Sequence, residues 1–356
     1  MTVQELDPAK QEAFAGRMVQ MLNDGCLALM SSLGHQSGLF DTLAGLPPST
    51  VQEVAGATGL NERYVREWLG AMVVGGVVEY DPVAATYALP PEHAASLTRA
   101  AGPDNLAGLM QDLSMMGEVE QRILEAFRNG GGVPYSAYPR FQELQAEESS
   151  RVYDAALVGS IVPVVPGLAA RLESGIDALD VGTGQGHAVN VLAQAYPRSR
   201  FHGLDISEEG ITAARAEAAA RGLANAEFEA GDSAELTGAY DLITAFDVIH
   251  DLARPTRTLA AIAGALREDG VFLMGDVAAS SKLEENIEHP LAPALYTFSV
   301  FYCMTVSLAQ GGEGLGTVWG EQTARRMLAE AGFTQVDTHQ VEGDILNLYY
   351  VARKGS

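Results

Sequence analysis

The residues with the clearest chemical potential lie in the second half of the chain, where apolar runs that predict β-strands come to an end. The first run ends in the segment Asp-Val-Gly-Thr-Gly-Gln-Gly at 180–186, with glycines at 182, 184 and 186. Glycine at 182 and 184 lets the backbone turn tightly and approach a ligand closely. A dinucleotide-binding G-x-G-x-x-G pattern would need glycine at 187, where this chain has His187. The loop alone does not separate a nucleotide site from an ordinary tight turn.

Carboxylates end the next two predicted strands. Asp205 lies 23 residues after Gly182, and a carboxylate there can accept hydrogen bonds from both hydroxyls of a ribose. Asp232 can accept one from an exocyclic adenine amine. The alternatives are local: Asp205 could cap the next helix, a role that Ser207 can also fill, and Asp232 could cap the turn before Ala234. Ligands of open α/β sheets bind outside the carboxyl ends of the strands, so we expect these side chains to meet there.

The fourth predicted strand ends in Asp247, and His250 and Asp251 follow it. A histidine at this edge with a pKa near neutrality suits a general base, or a donor that orients a reacting nucleophile. The alternative is a wall residue that bonds the backbone. Asp247 is expected to shape the loop rather than to titrate during turnover. His187 is expected to lie along a helix face.

The elements that position these residues predict a mostly parallel sheet with helices on both faces. Apolar runs separated by helix-like segments lie at 176–181, 200–205, 226–230, 240–246, 270–276 and 346–352. Residues 99–165 have a helical pattern. Tyr135 and Tyr138 lie between two prolines and either clamp a ligand or simply pack. The aromatic insertion at 279–318 contains Tyr302 and forms either a substrate lid or a dimer face, with its glycines as a flexible rim.

The first 98 residues have the pattern of a winged helix. Ser49 or Thr50 can cap a short helix, a turn follows at 58–61, and a second helix begins at Glu62. Apolar runs at 77–80 and 86–89 predict a hairpin. Over residues 49–81 two arginines stand against five acidic residues, so this domain lacks the positive surface that a DNA-binding helix needs. His35, after the first helix, is expected in the core, at an interface or against substrate.

Composition excludes several classes of protein. The 356 residues are 47% hydrophobic and 19% charged, enough to bury a large core. Cys26 and Cys303 are too few for a disulfide framework and indicate a reducing cytoplasm. The net charge of −24 disfavours nucleic acid and anionic membranes as partners. The most apolar stretch, 295–309, is too short to span a bilayer. No basic region followed by an apolar run opens the sequence, so we expect no secretory signal. No carboxylate–histidine group has convincing metal-ligand spacing, so we expect no metal.

Taken in order, the glycine loop, ribose acid, adenine acid and strand-four acid resemble those of class I S-adenosylmethionine-dependent methyltransferases. Residues 175–278 carry the resemblance, and the family's antiparallel last strand fits 347–353. It implies an α/β fold with a Rossmann-like sheet of seven strands, preceded by a mainly α winged-helix domain. It also implies S-adenosylmethionine as cofactor and S-adenosylhomocysteine as product. The residues expected to hold the cofactor are Gly182, Thr183, Gly184, Asp205, Ile206, Asp232, Ser233, Phe246 and Asp247.

More loosely, the whole chain is similar to a bacterial branch of small-molecule methyltransferases, through the segments 34–41, 133–141 and 304–312. This resemblance implies a dimerisation domain at 1–98, a helical connector lining the site at 99–165, and the methyltransferase domain at 166–356 with its insertion at 279–318. The expected protein is a cytoplasmic homodimer. It would methylate an oxygen, nitrogen or carbon nucleophile of a small organic acceptor, with His250 as base or orienting residue. The expected acceptor pocket contains Tyr135, Tyr138, Tyr302 and His35, although this branch more often has histidine at 302.

Two other functions remain open on the sequence. One is a winged-helix transcription regulator that senses a small molecule, which the acidity of residues 49–81 disfavours. The other is a protein methyltransferase that docks its target through the N-terminal module. Net acidity argues against an RNA target but not against a basic protein.

Overall fold

The computed structural model describes residues 6–342, 344 and 346–355. The chain forms two compact units, residues 1–114 and 115–356. The boundary between them lies beyond residue 98, the predicted end of the winged-helix domain. The segment 99–165, predicted as one helical connector, is therefore divided between the two units.

The first unit contains the helix–turn–helix and hairpin of a winged helix, as predicted. Helix α3 begins after Thr50, whose hydroxyl accepts the N–H of Glu53 while the Glu53 carboxylate accepts the N–H of Thr50. Gly59 ends this helix with a φ of 68°, in the left-handed region that glycine adopts without strain. The elements are α1 (Pro8–Gln36), α2 (Leu39–Gly45), α3 (Val51–Thr58), α4 (Glu62–Val74), β1 (Glu79–Asp81), β2 (Thr86–Ala88), α5 (Pro91–Ala94), a 3-10 turn (Arg99–Asp104) and α6 (Leu106–Leu109).

The core of this unit lies under α4. Val65, Leu69 and Met72 are buried along one side of that helix, and the Trp68 indole N–H donates to the carbonyl of Met30 at 2.8 Å. Helix α1 differs, because it leaves a row of large apolar side chains in solvent. This row, called the α1 face below, comprises Phe14, Met18, Met21, Leu22, Leu29 and Leu33.

The second unit holds the sheet. Its helices are α7 (Gln111–Asn129, which begins before the unit boundary), α8 (Phe141–Val152), α9 (Leu168–Ser174), α10 (His187–Ala195), α11 (Glu208–Ala220), α12 (Pro255–Ala265), α13 (Ala292–Phe298), α14 (Met304–Ala309) and α15 (Gly320–Glu330). Its strands are β3 (Asp177–Val181), β4 (Arg200–Asp205), β5 (Ala226–Ala230), β6 (Tyr240–Phe246), β7 (Leu266–Val277), β8 (Phe333–His339) and β9 (Asn347–Lys354).

Within the described residues the strands form one seven-stranded sheet in the order β5-β4-β3-β6-β7-β9-β8. Strand β9 runs in the opposite direction to the other six, which confirms the predicted α/β sheet. Strand β8 was absent from the predicted runs, since its sequence Phe-Thr-Gln-Val-Asp-Thr-His at the sheet edge buries little. Alternate residues of the inner strands pack into the hydrophobic cores on opposite faces of the sheet. Leu242 and Leu273 pack into one core, and Ile243 and Phe272 pack into the other.

Two π-helical segments interrupt the helices of this unit. One, Tyr153–Ile161, follows α8, and the other, Ser299–Cys303, joins α13 to α14. Such segments are frequent at functional sites. The second makes Ala292–Ala309 one helix of 18 residues, long and apolar enough by length and composition to cross a membrane. The expectation that this stretch is too short was therefore wrong. The bent pair Phe141–Val164 and Leu168–Ser174 passes the same test if it is counted as one span.

Candidate active site

The glycine loop follows β3 and opens toward the carboxyl edge of the sheet. Gly182 and Gly184 have φ values of 71° and 56°, a region that strains residues with a Cβ. A Cβ on Gly182 would lie 2.4 Å from the Val248 side chain, whereas one on Gly184 would meet nothing within 4 Å. Gly182 is therefore needed for packing against the loop after β6. Gly184 leaves open space in which a ligand can approach the backbone.

Asp205 is fixed beside this loop at the end of β4. Its Oδ2 accepts the N–H of Gly184 and its Oδ1 accepts the N–H of Ser207, both at 2.8 Å. Burial raises the pKa of Asp205, although these N–H groups oppose the shift. Each oxygen keeps a further lone pair. Ser207 itself caps α11, accepting the N–H of Gly210 at 3.1 Å, so the carboxylate is not needed as the helix cap. Its contact with ribose remains a prediction.

Asp232 has partners for both of its carboxylate oxygens. Oδ1 accepts the N–H of Ala234 at 2.8 Å, capping a 3-10 turn, and Oδ2 pairs with Arg254. The neighbouring Ser233 hydroxyl bonds that of Thr258 at 3.1 Å. The predicted capping role is thus present, and the adenine contact remains a prediction.

The other predicted cofactor residues lie along the same edge. Ile206 is 63% exposed and Thr183 is buried. The ring of Phe246 lies 5.6 Å from that of Tyr153 and 6.4 Å from that of Tyr349, centroid to centroid. Tyr153 begins the first π-helical segment, so this helix covers the end of β6.

Asp247 follows Phe246 in a left-handed conformation, with a φ of 56°. Its side chain is open to solvent, and its Oδ2 accepts from the Asn347 amide at 3.0 Å. The surrounding protein is the main cause that raises the pKa of Asp247 to about 8, and the negative charge of Asp276 is the second. The left-handed backbone and the bond to Asn347 fit the loop-shaping role expected for Asp247, which stays a prediction.

His250 is held by a buried carboxylate. Its Nδ1 lies 2.8 Å from Oδ1 of Asp276, and that oxygen also accepts from the Trp319 indole at 2.9 Å and the Val277 N–H at 2.8 Å. Because a carboxylate only accepts, Nδ1 carries a proton. Burial lowers the pKa of His250, but Asp276, assisted by the Cys303 thiol, outweighs this and holds it well above its usual range.

Beside His250 lies a cluster of aromatic rings. Tyr302 stacks on Phe141 with centroids 4.6 Å apart and meets Tyr138 at 5.2 Å and Tyr135 at 5.9 Å. The Tyr135 hydroxyl donates to Oδ2 of Asp251 at 2.6 Å. Burial raises the pKa of Asp251 to about 6. Three of the four predicted pocket residues, Tyr135, Tyr138 and Tyr302, thus lie in one cluster that contacts Asp251, the residue after His250.

His35, the fourth predicted pocket residue, is buried in the first unit. Its ring Nδ1 lies 3.4 Å from the amide nitrogen of Asn105. Its contact with substrate remains a prediction. His187 lies at the start of α10 between the carboxylates of Asp154 and Glu217, at 3.0 and 2.8 Å, which fits the structural role expected for it.

Sequence reasoning missed several members of the site. Asp276 lies near the end of β7 as Asp205 ends β4, so the same strand-end rule could have found it. Asp180 is buried, accepts from the Thr244 hydroxyl at 2.6 Å and has a pKa raised by burial to about 6. Nothing in the sequence signals Trp319 or Cys303, because their roles depend on contacts distant along the chain.

The glycines of the insertion do not form a loose rim. Gly316 donates its N–H to the carbonyl of His250 at 2.9 Å, and Glu313 donates its N–H to that of Ala253 at 3.0 Å. The Glu313 carboxylate also accepts from the Thr256 hydroxyl at 2.7 Å. These bonds tie the end of the insertion to the loop that presents His250. Among the described residues, no group of three or more His, Cys, Asp or Glu side chains could hold a metal ion.

The residues present fit S-adenosylmethionine. Gly184 leaves the backbone approachable, and Asp205 has lone pairs for ribose hydroxyls. The fold and the site define a class I S-adenosylmethionine-dependent methyltransferase domain with a winged helix ahead of it.

Comparisons with known proteins support this class. Residues 25–99 match the family described as the Rv2258c-like winged HTH domain, and residues 172–340 match a methyltransferase domain family. The chain therefore contains a winged HTH domain and a methyltransferase domain of these two families. The matched ranges end at 99 and begin at 172, on either side of the predicted connector.

Solved structures share the whole architecture. The mitomycin 7-O-methyltransferase MmcR superposes with a TM-score of 0.72 at 20% identity, covering 98% of this chain and 100% of its own. Human N-acetylserotonin methyltransferase, in complex with S-adenosylmethionine, gives 0.70 at 18% identity and covers 100% of both chains. At these identities the likeness establishes the fold.

A curated relative is the tRNA (guanine-N(7)-)-methyltransferase of Rhodopseudomonas palustris. It is 30% identical over 146 residues, which are 34% of this chain and 58% of the relative. The chain thus spans little more than half the length of that protein.

Proposed function

We propose that this protein transfers a methyl group from S-adenosylmethionine to an oxygen, nitrogen or carbon nucleophile of a small organic acceptor. The observation that carries the proposal is the loop after β6. At one end Val248 packs against Gly182 of the glycine loop, and at the other Asp251 bonds Tyr135 of the aromatic cluster. His250 lies between these two contacts, so one loop joins the cofactor edge to the aromatic cluster.

The cofactor supplies an electrophilic methyl group, and the chain's residues position the nucleophile and manage its proton. Asp276 fixes His250 with Nδ1 protonated, which leaves Nε2 for the acceptor. When neutral, His250 accepts the proton of the nucleophile, and when charged it donates to the nucleophile and orients it. Because its pKa lies above the usual range, rising pH favours the first role.

The aromatic cluster supports an apolar, ring-shaped acceptor. Small-molecule pockets are mostly apolar with a few polar groups that fix orientation. Tyr135, Tyr138, Phe141 and Tyr302 supply the apolar wall, and Asp251 and His250 supply the polar groups. The two neighbours of known structure, which are named for mitomycin and N-acetylserotonin, support a small-molecule acceptor over a macromolecule.

We expect a cytoplasmic homodimer formed through the α1 face. Phe14 and Leu22 there are 63% and 67% exposed, and apolar rows of this kind mark interaction sites. Membrane insertion is disfavoured because the apolar helix Ala292–Ala309 packs Tyr302, Cys303 and Val306 into the core beside the site.

Two alternatives have specific observations behind them. The winged helix supports a ligand-sensing regulator, and the tRNA-modifying relative supports a nucleic-acid target. In α4, however, Arg63 pairs with Glu67 and Arg66 with Glu62, so both arginines are neutralised. A net charge of −24 also opposes phosphate binding. A protein target remains the second alternative, since an acidic surface can dock a basic partner.

The proposal is tested by calorimetry and then by turnover. Titration with S-adenosylmethionine and S-adenosylhomocysteine should show micromolar binding, with none for NAD. His250→Ala should leave that affinity unchanged and lower turnover of an acceptor about a hundredfold, whereas His202→Ala, the same change elsewhere in the sheet, should not. Asp276→Asn should lower turnover and move the rising limb of the pH profile to lower pH. Absence of binding by either sulfur nucleotide would overturn the methyltransferase proposal.

A further inference from the structure

We propose that the Tyr302 hydroxyl is a specificity-determining hydrogen-bond donor, which binds an uncharged carbonyl oxygen of the acceptor a few bonds from the nucleophile at His250. The proposal rests on the proposed function and adds to it the chemistry of the acceptor. It is carried by a buried hydroxyl that lacks a partner inside a cluster whose other hydroxyls are paired.

Three tyrosines of the cluster offer the comparison. The Tyr138 hydroxyl donates to the carbonyl of Phe301, and the Tyr135 hydroxyl donates to Asp251. The Tyr302 side chain is 93% buried, yet its hydroxyl has no hydrogen-bond partner among the described residues. A buried hydroxyl left unpaired destabilises the folded protein, and a ligand that pairs with the hydroxyl removes that cost.

Packing prevents Tyr302 from finding a partner within the protein. Its ring is stacked on Phe141 at 4.6 Å and held edge-on by Tyr138 and Tyr135. It lies in the π-helical segment Ser299–Cys303, next to Cys303, which is close enough to His250 to help raise the pKa of that histidine. The hydroxyl is therefore fixed in the neighbourhood of the proposed base.

The surroundings decide which acceptor group fits. Burial and neighbouring groups hold the pKa of Tyr302 well above its usual value, so the hydroxyl stays a donor. His250 and Asp276 pair with each other, so the charge that acts on Tyr302 from this side is that of Asp251. It repels an anionic oxygen, so an uncharged carbonyl is favoured over a carboxylate.

The first test needs no ligand and compares two tyrosines of one cluster. Tyr302→Phe removes an unpaired hydroxyl and should leave the melting temperature of the free protein unchanged or higher. Tyr138→Phe removes a paired hydroxyl and should lower it. If Tyr302→Phe lowers the melting temperature as much as Tyr138→Phe does, the hydroxyl is bonded in the free protein and the proposal is wrong.

The second test uses three matched phenols: 3-hydroxyacetophenone, 3-ethylphenol and 3-hydroxybenzoate. With S-adenosylhomocysteine bound, calorimetry should show the ketone binding wild type at least tenfold more tightly than the ethyl compound or the carboxylate. Tyr302→Phe should abolish that preference. An equal preference in both proteins, tighter binding of the carboxylate or no binding of the ketone would each overturn the proposal. S-adenosylmethionine affinity should be equal in the two proteins, and its absence from wild type would instead refute the proposed function.

Discussion

Replacing Asp205 with alanine should weaken S-adenosylmethionine binding without unfolding the protein. In the free structure each carboxylate oxygen accepts one backbone N–H, from Gly184 and from Ser207, at 2.8 Å. Each oxygen therefore has one lone pair available for a ribose hydroxyl. The carboxylate serves two purposes at once, because it holds the glycine loop and presents acceptors to the ligand.

The expected loss follows from those two bonds. A hydrogen bond to a charged group contributes roughly 1.5–3 kcal/mol net, so two such bonds to one carboxylate contribute roughly 3–6 kcal/mol. Losing both raises the dissociation constant by roughly a hundredfold or more. Asp205→Asn should fall between alanine and wild type, since an amide keeps one acceptor oxygen but turns the other position into a donor.

Calorimetry with S-adenosylmethionine measures this directly, and thermal unfolding checks that each variant is folded. Glu208→Ala is the matched control: it removes the same charge three residues along, from an exposed side chain at the start of α11. A dissociation constant for Asp205→Ala within twofold of wild type would refute the ribose assignment. A loss of the same size in Glu208→Ala would show that net charge, and not the hydrogen bonds, governs affinity.

Two further predictions concern stability and assembly. The pKa of Asp247 is raised to about 8, so the folded protein holds this proton more tightly than the unfolded chain, and the associated stability is lost as pH rises through 8. In urea titrations Asp247→Asn should therefore stabilise the protein relative to wild type at pH 9 but not at pH 4. The gain should be at most about 1 kcal/mol, because the side chain is solvated. An equal difference in stability at both pH values would contradict this prediction. On the α1 face, Phe14→Glu should yield monomers in light scattering, whereas Val83→Glu on the exposed hairpin should not, and a monomeric wild type would refute the dimer.

The sequence was sufficient for the sheet and the winged helix because their signals are local. Alternating or continuous apolar runs mark β3 to β7, and the Thr50–Glu53 capping box with Gly59 marks the first helix of the helix–turn–helix. Strand β8 was not predicted, because an edge strand needs few buried residues. The contacts of the insertion were not predicted either, since a run of glycines does not show which carbonyl groups their N–H groups will bond.

Only part of the site could be predicted from the sequence, because only local signals can be read from it. Residues at strand ends, such as Asp205 and His250, could be placed by topology alone. Their partners could not: Trp319 reaches Asp276 across 43 residues of chain, and Tyr135 reaches Asp251 across 116. These contacts depend on tertiary packing that leaves no periodic trace in the sequence.

The bonds from the insertion to the loop after β6 have a consequence for engineering acceptor range. Gly316 and Glu313 bond the carbonyls of His250 and Ala253, and a Cβ on Gly312 would lie 2.5 Å from the Cα of Ala253. The two segments form a single exchangeable module. Chimeras that import residues 279–318 from another methyltransferase should therefore also import residues 247–256, because a foreign insertion on the native loop leaves the backbone around His250 without its support.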